Sequence, residues 1–208
     1  MKKLQAVPRF LVALLLAMTA VLVPATLRGQ TADHSPSYPS TLHGGAPCGS
    51  CAAPAELSWK TTIAPGSERG ERMEISGTIY RADGKTPAGG IVLFVYHTDA
   101  TGFYNEKDDA SRPRLRGWMR TGEDGRYQFS TIKPAPYPHR TTPAHVHAHV
   151  YAEAISEHAI SDYWFAGDPF INEKAIAKAP EDGPAPAVVP LTKGDDGVVR
   201  GIRDITLD

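Results

Sequence analysis

Two cysteines in 208 residues, Cys48 and Cys51, are too few to staple a fold, so an apolar core must hold this chain together. Charge of one sign is lacking too. Twenty-two Lys and Arg offset 23 Asp and Glu, which leaves no strongly basic face and speaks against nucleic acid as a partner. No repeat of fixed period is present, which excludes propellers and solenoids. Only one long apolar run exists, Phe10 to Val23, and it falls short of the roughly 20 residues that span a bilayer comfortably. It follows Lys2, Lys3 and Arg9 and ends at the small-residue site Val23-Pro24-Ala25, the pattern of a cleaved signal peptide over residues 1–25. There is no twin-arginine pair and no lipoprotein cysteine. The chain is expected to be exported, with no membrane span left after cleavage.

Glycine and proline are abundant, 19 and 18 residues, and they punctuate the chain at short intervals. Residues 26–68 are rich in Ser, Pro, Gly and Ala and read as an extended arm. The arm carries Cys48-Gly49-Ser50-Cys51. In an exported protein the pair favours a local disulfide. A redox-active CxxC or a metal site shared with His43 are the alternatives.

Residues 69–208 form the expected folded domain. Met73 to Arg81 and Tyr127 to Ile132 alternate apolar and polar residues as half-buried strands do. Gly90 to Tyr96 is a β-branched and aromatic run, and Leu115 to Thr121, Ala144 to Glu153 and Asp162 to Phe165 complete a strand-rich pattern. One short helix is predicted over Ile171 to Lys178, a loop over Pro180 to Pro190, and a closing strand pair over Gly197 to Leu207. The fold class is all-β, an antiparallel β-sandwich with low helix content.

The chemistry concentrates between Gly125 and Tyr151. His145, His147 and His149 alternate on one strand, so all three point to one face. Tyr137 sits between prolines just before them, and Tyr104 follows a strand and a glycine turn. Two phenols and two imidazoles suit a hard, oxidised metal such as Fe(III). A trivalent ion also supplies the charge a phenol needs to ionise near neutral pH. Each tyrosine taken alone is more simply a core residue with a satisfied hydroxyl, and alternating histidines also suit a solvated face.

Six segments, in order, resemble the intradiol ring-cleaving dioxygenases, the catechol and protocatechuate dioxygenase family. They are Ile75 to Gly84, Tyr96 to Tyr104, Leu115 to Phe129, Thr131 to Pro138, Pro143 to His147 and Tyr163 to Pro169. The resemblance implies non-haem Fe(III) held by Tyr104, Tyr137, His145 and His147. It also implies cleavage of a catechol-type substrate by O₂ to a muconate-type diacid. Tyr137 would be the ligand that leaves and takes a substrate proton. The family's arginine three residues before the first histidine is Thr142 here, which makes Arg140 the candidate for its catalytic role. Asp162, Tyr96 and His97 stand where the family has glutamine, tryptophan and glutamine.

The main rival is an exported β-sandwich that binds without catalysis and keeps a vestigial or structural metal. A cupin-type site on His147, His149 and Glu153 lacks the glycines that fold requires, and a disulfide-exchange centre at Cys48 and Cys51 lacks the usual strand and helix around it. The oligomeric state and the identity of the diol stay open.

Overall fold

The computed structural model describes residues 47–178 and 186–208. The signal segment, the arm as far as residue 46 with His43, and residues 179–185 lie outside the described residues. Among the described residues eleven strands run in chain order: β1 Lys60–Thr62, β2 Arg72–Tyr80, β3 Val92–His97, β4 Leu115–Arg120, β5 Arg126–Ile132, β6 His145–Ala152, β7 Ile155–Phe165, β8 Ala187–Val189, β9 Thr192–Lys193, β10 Val199–Ile202 and β11 Ile205–Thr206. Among the described residues one α-helix, α1 Glu173–Lys178, follows β7, and a single 3-10 turn spans Ser50–Ala52. Among the described residues no helix is long and apolar enough to cross a membrane.

The strands form two sheets. One has the order β1-β5-β2-β10-β9 with β11 also on β2, and the other has the order β4-β3-β6-β7-β8. Their facing surfaces make the main core. Met73, Ile75 and Ile79 of β2 and Tyr127 and Phe129 of β5 meet Leu93 and Val95 of β3, Val146, Ala148 and Val150 of β6, and Tyr163 and Phe165 of β7. This is the expected sandwich, each strand giving alternate residues to the core.

β2–β5, β3–β4, β3–β6, β6–β7 and β9–β10 pair antiparallel, but β1–β5, β2–β10, β2–β11 and β7–β8 are parallel. The sheets are therefore mixed. A tight hairpin such as the one joining β6 and β7 through Glu153 and Ala154 dictates antiparallel neighbours. Strands that arrive by longer connections are free of that constraint. The closing segment is not a strand pair: only Arg203 and Asp204 separate β10 from β11, and the chain runs on in one direction. β10 and β11 lie end to end along β2, at Met73 to Ser76 and at Ile79 to Tyr80. The 60–62 stretch of the arm joins the first sheet as β1, and Ala187–Val189 adds β8 inside the region expected to be loop.

β3 positions the site. All six of its residues are buried, so both of its faces are covered. Leu93 and Val95 point into the sandwich. Phe94 and Tyr96 point outward, into a second cluster with Tyr104, Trp118, Tyr137 and Tyr151. Register places His149 beside Phe94 and His147 beside Tyr96, so the histidine face of β6 belongs to this outer cluster.

Gly77 shows how closely the first sheet is built. A Cβ there would lie 1.8 Å from the Arg203 carbonyl oxygen, where the chain passes between β10 and β11. Gly77→Ala is expected to lower stability by about 3 kcal/mol or more in urea unfolding, the upper end for overpacking. Gly66→Ala, with nothing within 4 Å of its Cβ, is expected to stay within about 0.5 kcal/mol of wild type.

Candidate metal centre

Three chain segments converge on the outer face of the second sheet. β6 contributes His145 and His147. Tyr104 follows the turn Asp99 to Phe103, closed by Asp99 N–H to the Phe103 carbonyl at 2.9 Å, and its own carbonyl accepts from Arg114 N–H at 2.9 Å. Tyr137 lies in the Pro134 to Pro138 corner. The Thr98 hydroxyl donates to the Ala135 carbonyl at 2.8 Å and Ala135 N–H donates to the Asp99 carbonyl at 3.0 Å, so the two tyrosine segments are tied together. Gly102 lets them close. Its φ is +89°, and a Cβ would stand 2.3 Å from the Pro136 carbonyl oxygen.

The result is a tight group of four polar atoms. The Tyr104 and Tyr137 hydroxyls are hydrogen-bonded to each other. Tyr104 Oη lies 2.9 Å from His147 Nε2, and Tyr137 Oη lies 3.0 Å from His145 Nε2 and 3.2 Å from His147 Nε2. The two Nε2 atoms are 3.0 Å apart. Each opposite ring nitrogen already has an acceptor: His145 Nδ1 meets the Pro143 carbonyl at 2.7 Å, and His147 Nδ1 meets Asp162 Oδ1 at 3.0 Å. These acceptors assign the proton to Nδ1 in both rings and turn both Nε2 lone pairs inward. Two lone pairs at that separation repel unless a hydroxyl donor or a cation lies between them. The fold brings Tyr104, Tyr137, His145 and His147 to one point. His149, the third residue of the row, is buried away from this point.

The electrostatics agree with a site waiting on positive charge. Burial, and then the neighbouring Tyr137, raise the Tyr104 hydroxyl well above its usual range. Burial raises Tyr137 to about 12, although the Tyr104 hydrogen bond and the Arg140 charge oppose it. Burial, and then the proximity of His147, lower His145 to about 4, so it is a neutral ligand at pH 7. Burial pushes Asp162 up, but the attraction of His147 and its hydrogen bond outweigh this and keep the carboxyl below its usual value. His145, His147 and Asp162 also bring ligating atoms within 4.8 Å of one another. Asp162 Oδ1, however, sits on Nδ1 of His147, the side of the ring opposite Nε2. An ion held by both Nε2 atoms faces the phenols instead.

A cleft of about 480 Å³ opens on this group, lined by Phe103, Tyr104, Asp108, Ala110, Tyr137, Pro138, His139 and Arg140. Asp108 and His139 hold positive φ, 51° and 61°, and are the two non-glycine residues that do so among the described residues. The Arg140 guanidinium lies 5.7 Å from the Tyr137 ring centroid, within cation–π range. Thr142 lines a separate pocket of about 370 Å³ with Trp164 and Lys174.

Two supports were not legible as such in the sequence. Asp168 Oδ2 accepts from Ala144 N–H at 2.9 Å and pins the start of β6. Glu157 anchors the Cys48–Cys51 disulfide loop against the sheet. Its buried carboxylate accepts from Gly49 N–H at 2.8 Å, Ser50 N–H at 2.7 Å, the Ser50 hydroxyl at 2.7 Å and His149 Nδ1 at 2.9 Å. Trp118 Nε1 donates to the Gly49 carbonyl at 2.8 Å, and Gly49 packs on Phe94. His97, read only as a departure, is buried on the inner side between the Thr98 carbonyl and the Thr131 hydroxyl.

A family model described as "Dioxygenase" matches residues 47–197. The chain is thus of dioxygenase class. More narrowly, it belongs to the intradiol dioxygenase family, and its relatives are named accordingly. It is similar to catechol 1,2-dioxygenase 1 of Acinetobacter lwoffii, 28% identical over 69% of this chain and 50% of that protein. It is similar to hydroxyquinol 1,2-dioxygenase of Rhizobium sp. (strain MTP-10005), 32% identical over 52% of this chain and 42% of that protein. The chain spans about half the length of the curated relatives it matches. Among solved structures, the dioxygenase domain of a dioxygenase–carbohydrate-binding fusion from Streptomyces sp. SirexAA-E aligns with TM-score 0.56 at 20% identity, over 82% of this chain and 97% of that one. Catechol 1,2-dioxygenase from Acinetobacter sp. ADP1 aligns with TM-score 0.58 at 22% identity, over 73% and 57%. These likenesses establish the fold.

The Glu157 anchor has a pH signature. Burial raises its carboxyl, but the His149 and Ser50 hydrogen bonds and the Gly49 amide outweigh this and bring it from 4.5 to about 2. A carboxyl lowered in the folded state stabilises above its unfolded pKa and loses that contribution as pH falls through the folded one. Thermal melts of wild type are expected to lose on the order of 2–3 kcal/mol between about pH 4.5 and 2 from this group. Glu157→Gln is expected to start less stable at pH 7 and to flatten that slope.

Proposed function

We propose that this protein holds Fe(III) on Tyr104, Tyr137, His145 and His147 and uses it for intradiol cleavage of a catechol-type diol by O₂ to a muconate-type diacid. One observation carries the proposal: two phenol oxygens and two inward Nε2 lone pairs crowd around one point, with both Nδ1 protons committed elsewhere. The donor set fits the ion. Two phenolates neutralise most of a trivalent charge, and two neutral imidazoles complete a set that a hard oxidised iron accepts. When bound, the ion supplies Lewis acidity and draws electron density from the diol, which makes the ring reactive toward O₂.

The protein's own groups then have separate tasks. Tyr104, 5% exposed, is the fixed phenol, while Tyr137 is half-buried and lines the cleft. Tyr137 is the base: as a phenolate with a high intrinsic proton affinity, its Oη takes a proton from the entering diol. Arg140 lies over the Tyr137 ring and provides positive charge on the cleft side, where an anionic diol would develop. The buried Tyr96 and Phe94 exclude water from below. An exported location, which the Cys48–Cys51 bridge supports, completes the proposal.

A second reading, a binding protein with a structural ion, draws on Thr142, which lines a pocket other than the tyrosine cleft and leaves the family's arginine position without a cation.

Protein reconstituted with Fe(III) is expected to show a broad visible phenolate-to-iron absorption and to consume O₂ with catechol, yielding an ultraviolet-absorbing diacid. Tyr137→Phe is expected to lose at least about a hundredfold in turnover, the low end for general acid–base catalysis. Arg140→Ala is expected to lower turnover while the visible band stays. A wild type that colours with iron yet turns over no diol would favour the binding protein. One that stays colourless would contradict both readings.

A further inference from the structure

The two histidines of the centre are not equivalent, and the difference lies behind the rings. His145 Nδ1 is backed by a neutral acceptor, the Pro143 carbonyl at 2.7 Å, whereas His147 Nδ1 is backed by a carboxylate, Asp162, at 3.0 Å. The backbone builds this contact. Between Val146 and Ala148 the β6–β7 register shifts by one, from Val146↔Tyr163 to Ala148↔Ile160, so Ser161 and Asp162 together oppose His147. An irregularity of this kind re-aims a side chain, and here it puts Asp162 beside the imidazole while Tyr163 stays in the core. Tyr96 stacks on the other side of the pair, its ring centroid 4.6 Å from that of His147 at 27°, which fixes the ring plane.

We propose that Asp162 is a positioning residue that makes His147 the stronger donor of the two imidazoles and biases the centre toward a trivalent ion. The proposal rests on the metal reading above. A carboxylate on Nδ1–H draws the proton toward itself and leaves more electron density at Nε2. It also adds a third negative charge beside two phenolates. A neutral acceptor such as the Pro143 carbonyl gives orientation without the charge. Asp162 therefore stabilises Fe(III) over Fe(II), and it does so without touching the ion.

Asp162→Asn separates charge from shape, because the amide oxygen still accepts from Nδ1–H. The test uses the full chain loaded with Fe(III), and measures the Fe(III)/Fe(II) midpoint potential and the wavelength of the phenolate-to-iron band. Removing the charge is expected to weaken Fe(III) binding relative to Fe(II) by about ten- to a hundredfold, the usual range for outer partners of metal ligands. At about 59 mV per tenfold for one electron, the midpoint rises by about 60–120 mV, and the band moves to longer wavelength. Asp162→Glu is expected to keep the midpoint nearer wild type than Asp162→Asn does. If Asp162→Asn does not fold, Asp162→Ser carries the same comparison. A coloured variant with the wild-type midpoint and band would overturn the role of Asp162 and leave the ferric site standing. A wild type without the band would overturn both.

Discussion

Two imidazole nitrogens 3.0 Å apart, each with its proton committed on the far side of the ring, set two lone pairs against each other and call for a hydroxyl donor or a cation between them. The rest of the outer face is arranged around that constraint. Two phenols approach the same point, and burial makes both reluctant to ionise unaided. A bound cation would offset that cost and draw the four groups into one coordinated set. Such a centre couples metal binding to local order: Tyr104 and Tyr137 come from segments held together by Thr98, Asp99 and the closely packed Gly102, not from the sheet itself.

The sandwich supplies rigidity on one side and cover on the other. Inward residues of β3 and β6 fill the core, and outward residues of the same strands build the site. A packed path runs from the disulfide loop through Gly49 on Phe94, Phe94 on Tyr96, and Tyr96 on His147. The Cys48–Cys51 loop is thus part of the floor of the site. Glu157, with four donors on one carboxylate, replaces with hydrogen bonds the water this buried charge gives up.

Where a local period or a short turn governs structure, the sequence was enough. The alternation of Met73 to Arg81, the apolar run before Tyr96 and the histidine row each became a strand near its expected bounds. Strand period pointed to the histidine pair, while the two tyrosines stood out by residue type and by the family resemblance. Long-range pairing was not reachable. Nothing local in Gly197 to Leu207 says that both halves lie along β2, and nothing in Lys60–Thr62 says that it joins β5. The three histidines look alike in sequence, yet His149 serves Glu157, because its neighbour in space is the disulfide loop. Asp162 was visible as a departure from the family pattern, but its contact with His147 depends on the register shift in β7, which no periodicity reveals. Arg140 was named as the arginine nearest the position Thr142 holds, and the structure adds its place over Tyr137.

The central claim is that one ion sits among Tyr104, Tyr137, His145 and His147. Anomalous diffraction at the iron edge, on crystals of protein loaded with Fe(III), tests it most directly. The expected result is a single strong peak within coordination distance of both Nε2 atoms and of the Tyr104 and Tyr137 oxygens, with Asp162 outside the coordination sphere. A peak ligated by Asp162 without the tyrosines, or one beside His149 and Glu157, would contradict the account.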